Sequence, residues 1–376
     1  MLGMDFVQII CIIKVMPRRP AQKSKRISKK RKKGFSWKTL VKSSKTQKKI
    51  KKGASVALLF TVSISFLGGV WLYKSLTKPF ASADSSTAFD INNEDIVSLA
   101  IVSVDDIKAS PVKTDSVHFL IFDKSKKKVL SYEVALDVKT DIPGKLGVET
   151  YSKILPLGMM SDDNLTSGAK LLVSSLEKDF AFNVDRYLVV EESVIGALLE
   201  TFVYGSGNSL LEFEILQRLA LSVDTDITIS EFYSLFTFAR SLREDRFIVN
   251  KGYNDHFADI ETLDEAIRDI TFDSVVSNEK ASVGVLNGTD IPGVASLASR
   301  VVRNAGGHVI SASNASKNYD ESMLVVESND LAIVKEIQKF FKIDNVVIKG
   351  RSGLNEGVSD RVDVTLVLGF DIAETL

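Results

Sequence analysis

The sequence predicts an α/β protein with a single N-terminal transmembrane helix followed by two α/β domains. Three observations predict it: an uncharged apolar run, a change in the sign of the charge across that run, and an alternation of strand-like and amphipathic helical segments after it. The expected division is a basic tail at 1–53, a span at 54–73, a polar stalk at 74–95, a first domain at 96–247, a linker at 248–280 and a last domain at 281–376.

The apolar run is long enough to cross a bilayer. Its 20 residues include ten Leu, Ile, Val or Phe, and at about 1.5 Å per residue the run spans roughly 30 Å. A buried core helix is one alternative. A cleaved signal peptide is another, because Ala81-Ser82-Ala83 resembles a cleavage site. Since signal-peptide apolar regions have only about 7–15 residues, we expect an uncleaved anchor.

The charge distribution predicts the orientation of the span. Residues 1–53 hold 18 Lys and Arg and one acid, a net charge of +17, whereas the rest of the chain holds 30 Lys and Arg and 47 acids, a net charge of −17. Positive charge beside a first span keeps that side in the cytoplasm. We therefore expect a single-pass plasma-membrane protein with a cytoplasmic N-terminus and most of its chain extracytoplasmic.

The basic tail has too few apolar residues to fold. Basic runs bind nucleic acid in some proteins. Directly before a span, such a run more often sets orientation and contacts anionic lipid headgroups, so we expect contact with the membrane and none with nucleic acid. The ordinary basic sequence opens at Met16, so Met1 and Met16 are both candidates for the first residue. The only cysteine, Cys11, precedes the span.

The first domain is predicted to mix strands and helices. Apolar, β-branched segments predict strands at 98–104, 117–122, 129–136 and 187–190. Helical spacing of apolar residues predicts helices at 165–180, 193–202, 209–221 and 229–242. Asp163 or Asn164 is expected to cap one of these helices, and Thr228 or Ser230 another. The polar, acidic residues 248–280 predict a linker with one short helix at 263–270.

The last domain has a regular alternation of strands and helices. The predicted order is a strand at 282–286, a helix at 292–304, strands at 309–312 and 323–326, a helix at 330–341, and strands at 346–348 and 362–368. Gly306-Gly307 is expected to end the first helix.

Short motifs in both domains carry a family resemblance. In the last domain they are Val285-Leu286-Asn287-Gly288-Thr289, Pro292-Gly293-Val294-Ala295, Gly306-Gly307 and Leu368-Gly369-Phe370-Asp371. With them the domain resembles the C-terminal domain of the LytR-CpsA-Psr (LCP) proteins of bacterial cell envelopes. Residues 96–247 then resemble a divergent LCP domain, through Ser103-Val104-Asp105, Thr114-Asp115-Ser116, Glu133 to Asp137 followed by Ile142-Pro143-Gly144, Lys153-Ile154-Leu155, and Val184-Asp185-Arg186-Tyr187.

This resemblance implies a phosphotransferase that moves a polymer from a polyprenyl-pyrophosphate carrier onto the cell wall. It implies Mg²⁺ held by two Asp and a pyrophosphate clamped by Arg. Matched to this sequence, the implied residues are Asp105 and Asp115 for the metal; Asp137, Lys153 and Arg186 for catalysis; and Lys108, Arg240, Arg243 and Arg246 for substrate binding.

The sequence departs from the family at the phosphate-binding arginines. Leu136 stands where the family has the Arg of its Pro-Arg-Asp segment, and the Arg after the first Asp motif is missing, with Lys108 nearby. Leu cannot stabilise a phosphate, and Lys does not reproduce the fork of Arg. The spacing of Arg240, Arg243 and Arg246 also describes a solvated helix face.

We therefore expect an envelope protein that binds a polyprenyl-linked glycopolymer or peptidoglycan with little or no transferase activity. An active, divergent LCP phosphotransferase and a non-enzymatic envelope scaffold are the alternatives, so whether the chain is an enzyme stays open at this point.

Overall fold

The computed structural model describes residues 91–144, 146–160, 163–206, 218–219, 223–253, 260–271, 275–350 and 356–376. The predicted tail, the predicted span, most of the stalk and most of the predicted helix at 209–221 lie outside these ranges. Within them, no helix combines the length and apolar character that a membrane crossing requires.

The first domain contains eight strands and five helices among the described residues. In chain order they are β1 Ile96–Val104, β2 Thr114–Asp123, β3 Lys128–Val134, β4 Lys139–Ile142, β5 Gly147–Thr150, α1 Tyr151–Met159, α2 Leu165–Phe180, β6 Arg186–Glu191, α3 Glu192–Phe202, β7 Val223–Thr225, α4 Ile229–Ser241, β8 Phe247–Tyr253 and α5 Ile260–Thr271. Single 3₁₀ turns lie at Ile91–Asn93 and Glu244–Arg246.

Six of these strands form one mixed sheet in the order β7-β6-β1-β2-β3-β8. The strands β1, β2 and β3 run antiparallel in succession, β6 lies parallel to β1, and β8 lies parallel to β3. The separate strands β4 and β5 form a hairpin. The strands predicted at 98–104, 117–122, 129–136 and 187–190 are thus confirmed, and β2 and β3 pair as neighbours.

Helices cover both faces of the six-stranded sheet. Along β1, Ala100 and Val102 pack on one side with α1, α2 and α5, whereas Leu99 and Ile101 pack on the other side with α3 and α4. Because successive side chains of a strand point to opposite faces, a strand buried on both faces reads as a continuous apolar run. The result is a three-layer α/β/α domain.

Two helix starts follow local capping rules. The side chain of Asn164 accepts a hydrogen bond from the backbone N–H of Thr166 (3.1 Å) at the start of α2. At the start of α4, the Thr228 hydroxyl accepts from the backbone of Glu231, and the Glu231 carboxylate accepts from the backbone of Thr228. Reciprocal capping of this kind satisfies otherwise unpaired N–H groups. Both predicted starts are confirmed, with Asn164 and Thr228 as the caps.

The predicted linker at 248–280 is different in the structure. Strand β8 extends the six-stranded sheet beside β3, and α5 buries Leu263, Ile267 and Ile270 in the core of the first domain. The segment is polar overall because α5 is strongly amphipathic, with many polar residues beside a narrow apolar face. That average composition led to the prediction of a linker. The apolar face of α5 covers the sheet, and its acidic residues lie on the other faces of the helix. The first domain therefore extends to the end of α5.

The last domain is a second, smaller α/β unit. Its elements are α6 Val275–Glu279, β9 Ser282–Asn287, α7 Val294–Asn304, β10 His308–Asn314, β11 Met323–Val326, α8 Ala332–Phe341, β12 Val346–Ile348, β13 Val364–Leu368 and α9 Phe370–Ala373. The strand order is β10-β9-β13-β11-β12. The predicted strands and helices are confirmed within a few residues, and α7 and α8 pack with the sheet in one apolar core.

The glycine pair after α7 ends that helix as predicted. Gly306 has a positive φ of 90°, its N–H donates to the carbonyl of Arg303 (3.0 Å), and the N–H of Gly307 donates to that of Val302 (2.8 Å). This is the Schellman arrangement, which requires a left-handed residue after the helix. A Cβ at Gly307 would lie 2.7 Å from a methyl of Val302. The positive φ therefore favours glycine at 306, and the close approach of Val302 favours it at 307.

The two domains contact each other through polar side chains. Arg300 of α7 donates to the carboxylate of Asp264 on α5 and to the carbonyl of Asp179 at the end of α2. Lys339 of α8 forms an ion pair with Asp185, which lies directly before β6. These contacts hold the last domain against α2 and α5 of the first.

Candidate functional site

Several of the predicted site residues lie at the edge of the six-stranded sheet where β1, β3, β6 and β8 end. We call this edge the carboxyl edge. In the register of the sheet, Val104 at the end of β1 pairs with Thr114 of β2 and with Glu191 of β6. Five acidic residues lie at or just after the ends of these strands or at the start of β2. They are Asp105, Asp115, Asp137, Glu191 and Glu192. The edge is therefore strongly acidic.

The two predicted metal ligands lie on neighbouring strands at this edge, as their spacing suggested. Ser103 pairs with Ser116 and Val104 pairs with Thr114, so Asp115 is the extra residue of a β-bulge. Bulges of this kind commonly redirect side chains beside functional sites.

Lys113 contacts the carboxylates of both Asp105 and Asp115. Its backbone N–H donates to Asp105 Oδ1 (2.9 Å), and its Nζ lies 2.8 Å from Asp115 Oδ1. The backbone N–H groups of Lys113 and Asp106 lower the pKa of Asp105 by stabilising its charged form. The hydrogen bond to Asp115 raises the pKa of Lys113. Lys113 thus supplies the positive charge between two carboxylates that would otherwise repel.

The donor set at this edge suits Mg²⁺ only together with a phosphate. No group of three or more His, Cys, Asp or Glu side chains that could hold a metal occurs within the described ranges. Mg²⁺ typically binds through one or two carboxylates, with phosphate oxygens and water completing its shell. Asp105 and Asp115 supply two carboxylates, and Lys113 Nζ contacts one of them in this structure. Beside them, the buried hydroxyls of Ser103 and Thr114 have no hydrogen-bond partner within the described residues.

The remaining predicted residues near this edge are solvent-facing or apolar. Asp137 and Lys108 are exposed. The backbone N–H of Lys108 donates to the Asp106 carboxylate (2.9 Å) within the loop after β1. Leu136 is partly buried and packs against the core, so its side chain serves packing where the family has an arginine.

Lys153 lies beside an apolar groove that begins at the same loop. Its Nζ forms an exposed ion pair with Glu149 (2.9 Å). The groove has a volume of about 510 Å³, and Met160 on its rim is 80% exposed. Its apolar lining residues are Pro111, Pro156, Leu157, Met159 and Met160. Pro111 belongs to the loop that joins Asp105 to Asp115, so the groove and the carboxyl edge share one loop.

Arg186 is not brought to the carboxyl edge. It pairs with Leu99, five residues before Val104 along β1, which places it roughly 17 Å away at about 3.3 Å per residue. Its guanidinium makes two hydrogen bonds to the carboxylate of Glu231 (2.6 and 3.2 Å), and both side chains are 3% exposed. Arg186 is committed to a buried ion pair, so we do not include it in the candidate site.

The arginines at 240, 243 and 246 also lie elsewhere. Arg246 directly precedes β8, whose first residue pairs with Val129 at the start of β3, the end of that strand opposite Asp137. Arg240 stacks over the ring of Phe236 (5.5 Å to its centroid), and Arg243 pairs with Asp245. The structure thus separates this cluster from Asp105 and Asp115.

Two features of the edge were not predicted from the sequence. Lys113 was missed because its role depends on β1 and β2 being paired with a bulge. The groove was missed because its members are scattered over two loops and a helix. Pro156 inside α1 and the Met159-Met160 pair at its end are the signals that mark an unusual apolar surface.

One comparison identifies the last domain. A sequence family described as LytR cell envelope-related transcriptional attenuator matches residues 280–371. The predicted LytR-type C-terminal domain of the LCP family is therefore confirmed for this part of the chain. Among curated proteins, none matches the sequence significantly.

Solved structures of three proteins share a low level of likeness with the chain. TagV of Bacillus subtilis is 11% identical with a TM-score of 0.37, covering 47% of this chain and 98% of its own. Protein gbs0355 of Streptococcus agalactiae is 12% identical with a TM-score of 0.36, covering 49% and 90%. The LytR-CPS2A-psr family protein YwtF (TagT), a B. subtilis protein solved with octaprenyl pyrophosphate, is 12% identical with a TM-score of 0.32, covering 52% and 96%. Because these TM-scores lie below 0.5, they do not bear on the assignment of a fold or a function.

Proposed function

We propose that this chain is a membrane-anchored, extracytoplasmic cell-envelope protein of LCP type, whose first domain binds a polyprenyl-linked glycopolymer with little or no transferase activity. One observation carries the proposal: the acidic carboxyl edge and the apolar groove share the loop from Asp105 to Lys113. An amphipathic ligand fits this pair of surfaces when its tail is apolar and its anionic head carries Mg²⁺, because the carboxylates alone would repel the head. The cell-envelope family match of residues 280–371 supports the same setting.

The apolar tail of such a lipid would lie along Leu157 and Met160. Burying apolar surface contributes about 25 cal/mol per Å², so even one isoprene unit in the groove stabilises the complex appreciably. The head would lie at the carboxyl edge, where Asp105 and Asp115 would hold a Mg²⁺ ion whose charge would offset that of the phosphates. The hydroxyls of Ser103 and Thr114 lie beside these carboxylates.

Slow turnover is expected because the arginines predicted for catalysis and substrate binding lie away from this edge. Arg186 and Arg246 lie at the other end of the sheet, and Leu136 packs against the core. Lys108, Lys113 and Lys153 are point charges, which do not hold a pyrophosphate as an Arg fork does. Loss of one charge-stabilising group costs about 10²–10³ in rate. An active phosphotransferase using these lysines and Asp137 is the second candidate.

The binding claim is tested with full-length protein in detergent and a short polyprenyl pyrophosphate. We expect Mg²⁺ to tighten binding and Asp115→Asn to abolish that tightening, a loss of about tenfold for one charged hydrogen-bonding ligand. Asp141→Asn, an exposed aspartate on the β4–β5 hairpin, is the matched control. Equal affinity with and without Mg²⁺ contradicts the metal assignment.

The groove is tested by Met160→Glu, a change at an exposed side chain that leaves the core intact. It should weaken lipid binding both with and without Mg²⁺. Mass spectrometry of lipids that purify with the protein should detect polyprenyl species in the wild type and fewer in this variant. Brisk transfer of polymer by the wild type contradicts the claim of low activity.

The membrane topology is tested in intact cells. The charge split between residues 1–53 and the rest of the chain supports a cytoplasmic tail and an external bulk. Protease added outside should remove about 300 residues and spare the tail. Protection of the last domain against external protease contradicts the extracytoplasmic placement.

A further inference from the structure

A second cavity lies between the two domains, far from the carboxyl edge. This interdomain cleft has a volume of about 430 Å³, within the range of small-molecule sites. One wall comes from the start of β1, the end of β2 and the residues before β6, and the other from α6, α7 and α8. It lies at the end of the sheet opposite Asp105, because Ile96 pairs with Asp123 there.

The cleft carries an excess of negative charge. Its acidic lining residues are Glu94, Asp95, Asp123, Asp185 and Glu336, against Lys335 and Lys339. Lys339 already pairs with Asp185. Burial raises the pKa of Glu336, Lys339 opposes this, and the like charges of Asp185 and Glu94 raise the pKa further. The carboxylates of this cleft therefore outnumber the cations available to them.

Asp123 has one carboxylate oxygen without a hydrogen-bond partner among the described residues, and the residue lines this cleft. The residue is 1% exposed, and its Oδ1 accepts hydrogen bonds from the Ser125 hydroxyl (2.8 Å) and the Lys126 backbone (2.7 Å). Its Oδ2 has no hydrogen-bond partner in the part of the chain that the structure describes. A buried carboxylate oxygen without a donor is costly, so this atom marks the place of a missing donor.

The rest of the lining suits an organic ligand. Ile96, Phe182, Val276, Val301 and Phe340 make most of the accessible lining apolar. No set of three or more metal-ligating side chains is found among the described residues, so an inorganic cation is poorly matched. An alkyl ammonium satisfies both conditions, because its charge pairs with carboxylates and its chain packs on apolar side chains.

We propose that the interdomain cleft binds a primary amine carried on a short aliphatic body, with the ammonium among the carboxylates that line it, Asp123 and Glu336 included. The acids come from both domains, since Asp123 ends β2 and Glu336 lies on α8. A bound ammonium therefore bridges the domains and strengthens their contact.

The probe for this site is 1,5-diaminopentane, and the matched neutral probe is 1,5-pentanediol. Both are titrated calorimetrically into full-length protein in detergent at low ionic strength. The diamine should bind and the diol should not. Glu336→Gln and Asp123→Asn should each weaken diamine binding about tenfold or more, the effect of losing one charge-assisted hydrogen bond. Asp360→Asn, an exposed aspartate of the last domain, should leave the affinity unchanged.

The comparison of diamine with diol in the wild type keeps the test valid even where Asp123→Asn fails to fold. A photoreactive alkylamine should also label residues of this cleft, such as Phe340 or Val276, and excess diamine should compete. Equal affinity for the diamine and the diol overturns the proposal. So does unchanged affinity in both variants, or labelling confined to other surfaces.

Discussion

Arg300 and Asp264 form a two-bonded fork between the domains, with Nε 2.9 Å from Oδ2 and Nη2 3.0 Å from Oδ1. The same Asp264 oxygen, Oδ1, also accepts from the side-chain amide of Asn304 (3.0 Å). Bidentate pairs of this kind fix an orientation as well as contributing energy. This fork ties α5 to α7, so α5 belongs to a packed contact between the domains and not to a linker.

Asp264→Ala should loosen the contact between the domains. It removes three charge-assisted hydrogen bonds and leaves Arg300 partly buried, so we expect a loss of about 1.5–3 kcal/mol in the free energy of unfolding. Urea titration of the full-length protein measures this, and limited proteolysis should cut faster between the domains. Arg303→Ala, an exposed change on α7, is the control. Equal loss in both variants contradicts a specific role for the fork.

Glu231→Gln tests whether Arg186 is structural. The substitution removes the carboxylate that forms the buried ion pair with the guanidinium, which costs about 3–5 kcal/mol. Urea titration should show this loss, while Glu244→Gln on the exposed 3₁₀ turn should show almost none. Because Arg186 lies at the wrong end of the sheet for catalysis, lipid binding per folded molecule should be unchanged. A selective loss of lipid binding with normal stability would return Arg186 to the site.

Gly168→Ala should destabilise the packing of α1 on α2. A Cβ at Gly168 would lie 2.4 Å from the carbonyl oxygen of Leu155, so the helices must separate. We expect a loss of about 1–3 kcal/mol, as for other overpacked sites. Gly196→Ala in α3 is the matched control, because nothing lies within 4 Å of its Cβ. That change should stabilise by about 0.5–1 kcal/mol. Similar melting temperatures in both variants would contradict the close approach.

Glu177 makes stability fall as the pH rises. Burial raises its pKa from 4.5 to about 7, although the Val184 backbone donates to its carboxylate. Between about pH 4.5 and 7 the folded protein then holds a proton that the unfolded chain has lost, so its contribution to stability decreases with rising pH. Relative to wild type, Glu177→Gln should gain on the order of 1–3 kcal/mol over that interval. Denaturant titrations at several pH values measure it.

Glu261→Gln, which removes an exposed charge from α5, controls for net charge in this experiment. Its stability relative to wild type should stay level over the same interval. If the stability of Glu177→Gln relative to wild type does not change with pH, the raised pKa is contradicted. If that relative stability falls as the pH rises, the assigned sign is wrong.

Local signals in the sequence predicted most of the secondary structure. The helix at 165–180 and its Asn164 cap depend on neighbours within one helical turn, so periodicity and capping suffice to place them. The pairing of β1 with β2 follows from two apolar strands joined by a short loop. Asp105 and Asp115 adjoin strand ends in the sequence, and the pairing of β1 with β2 in the structure places them at one edge.

The roles of the basic residues were decided by the tertiary structure. The sequence determined the strand that carries Arg186, but the direction of β6 in the sheet and the partner Glu231, 45 residues away, decided that its charge is buried at the opposite end. Likewise, the sequence predicted a helix within 263–270, and only its burial against the first sheet decided that it is no linker. Periodicity is a property of neighbours along the chain, whereas burial and ion pairing depend on residues that only folding brings together.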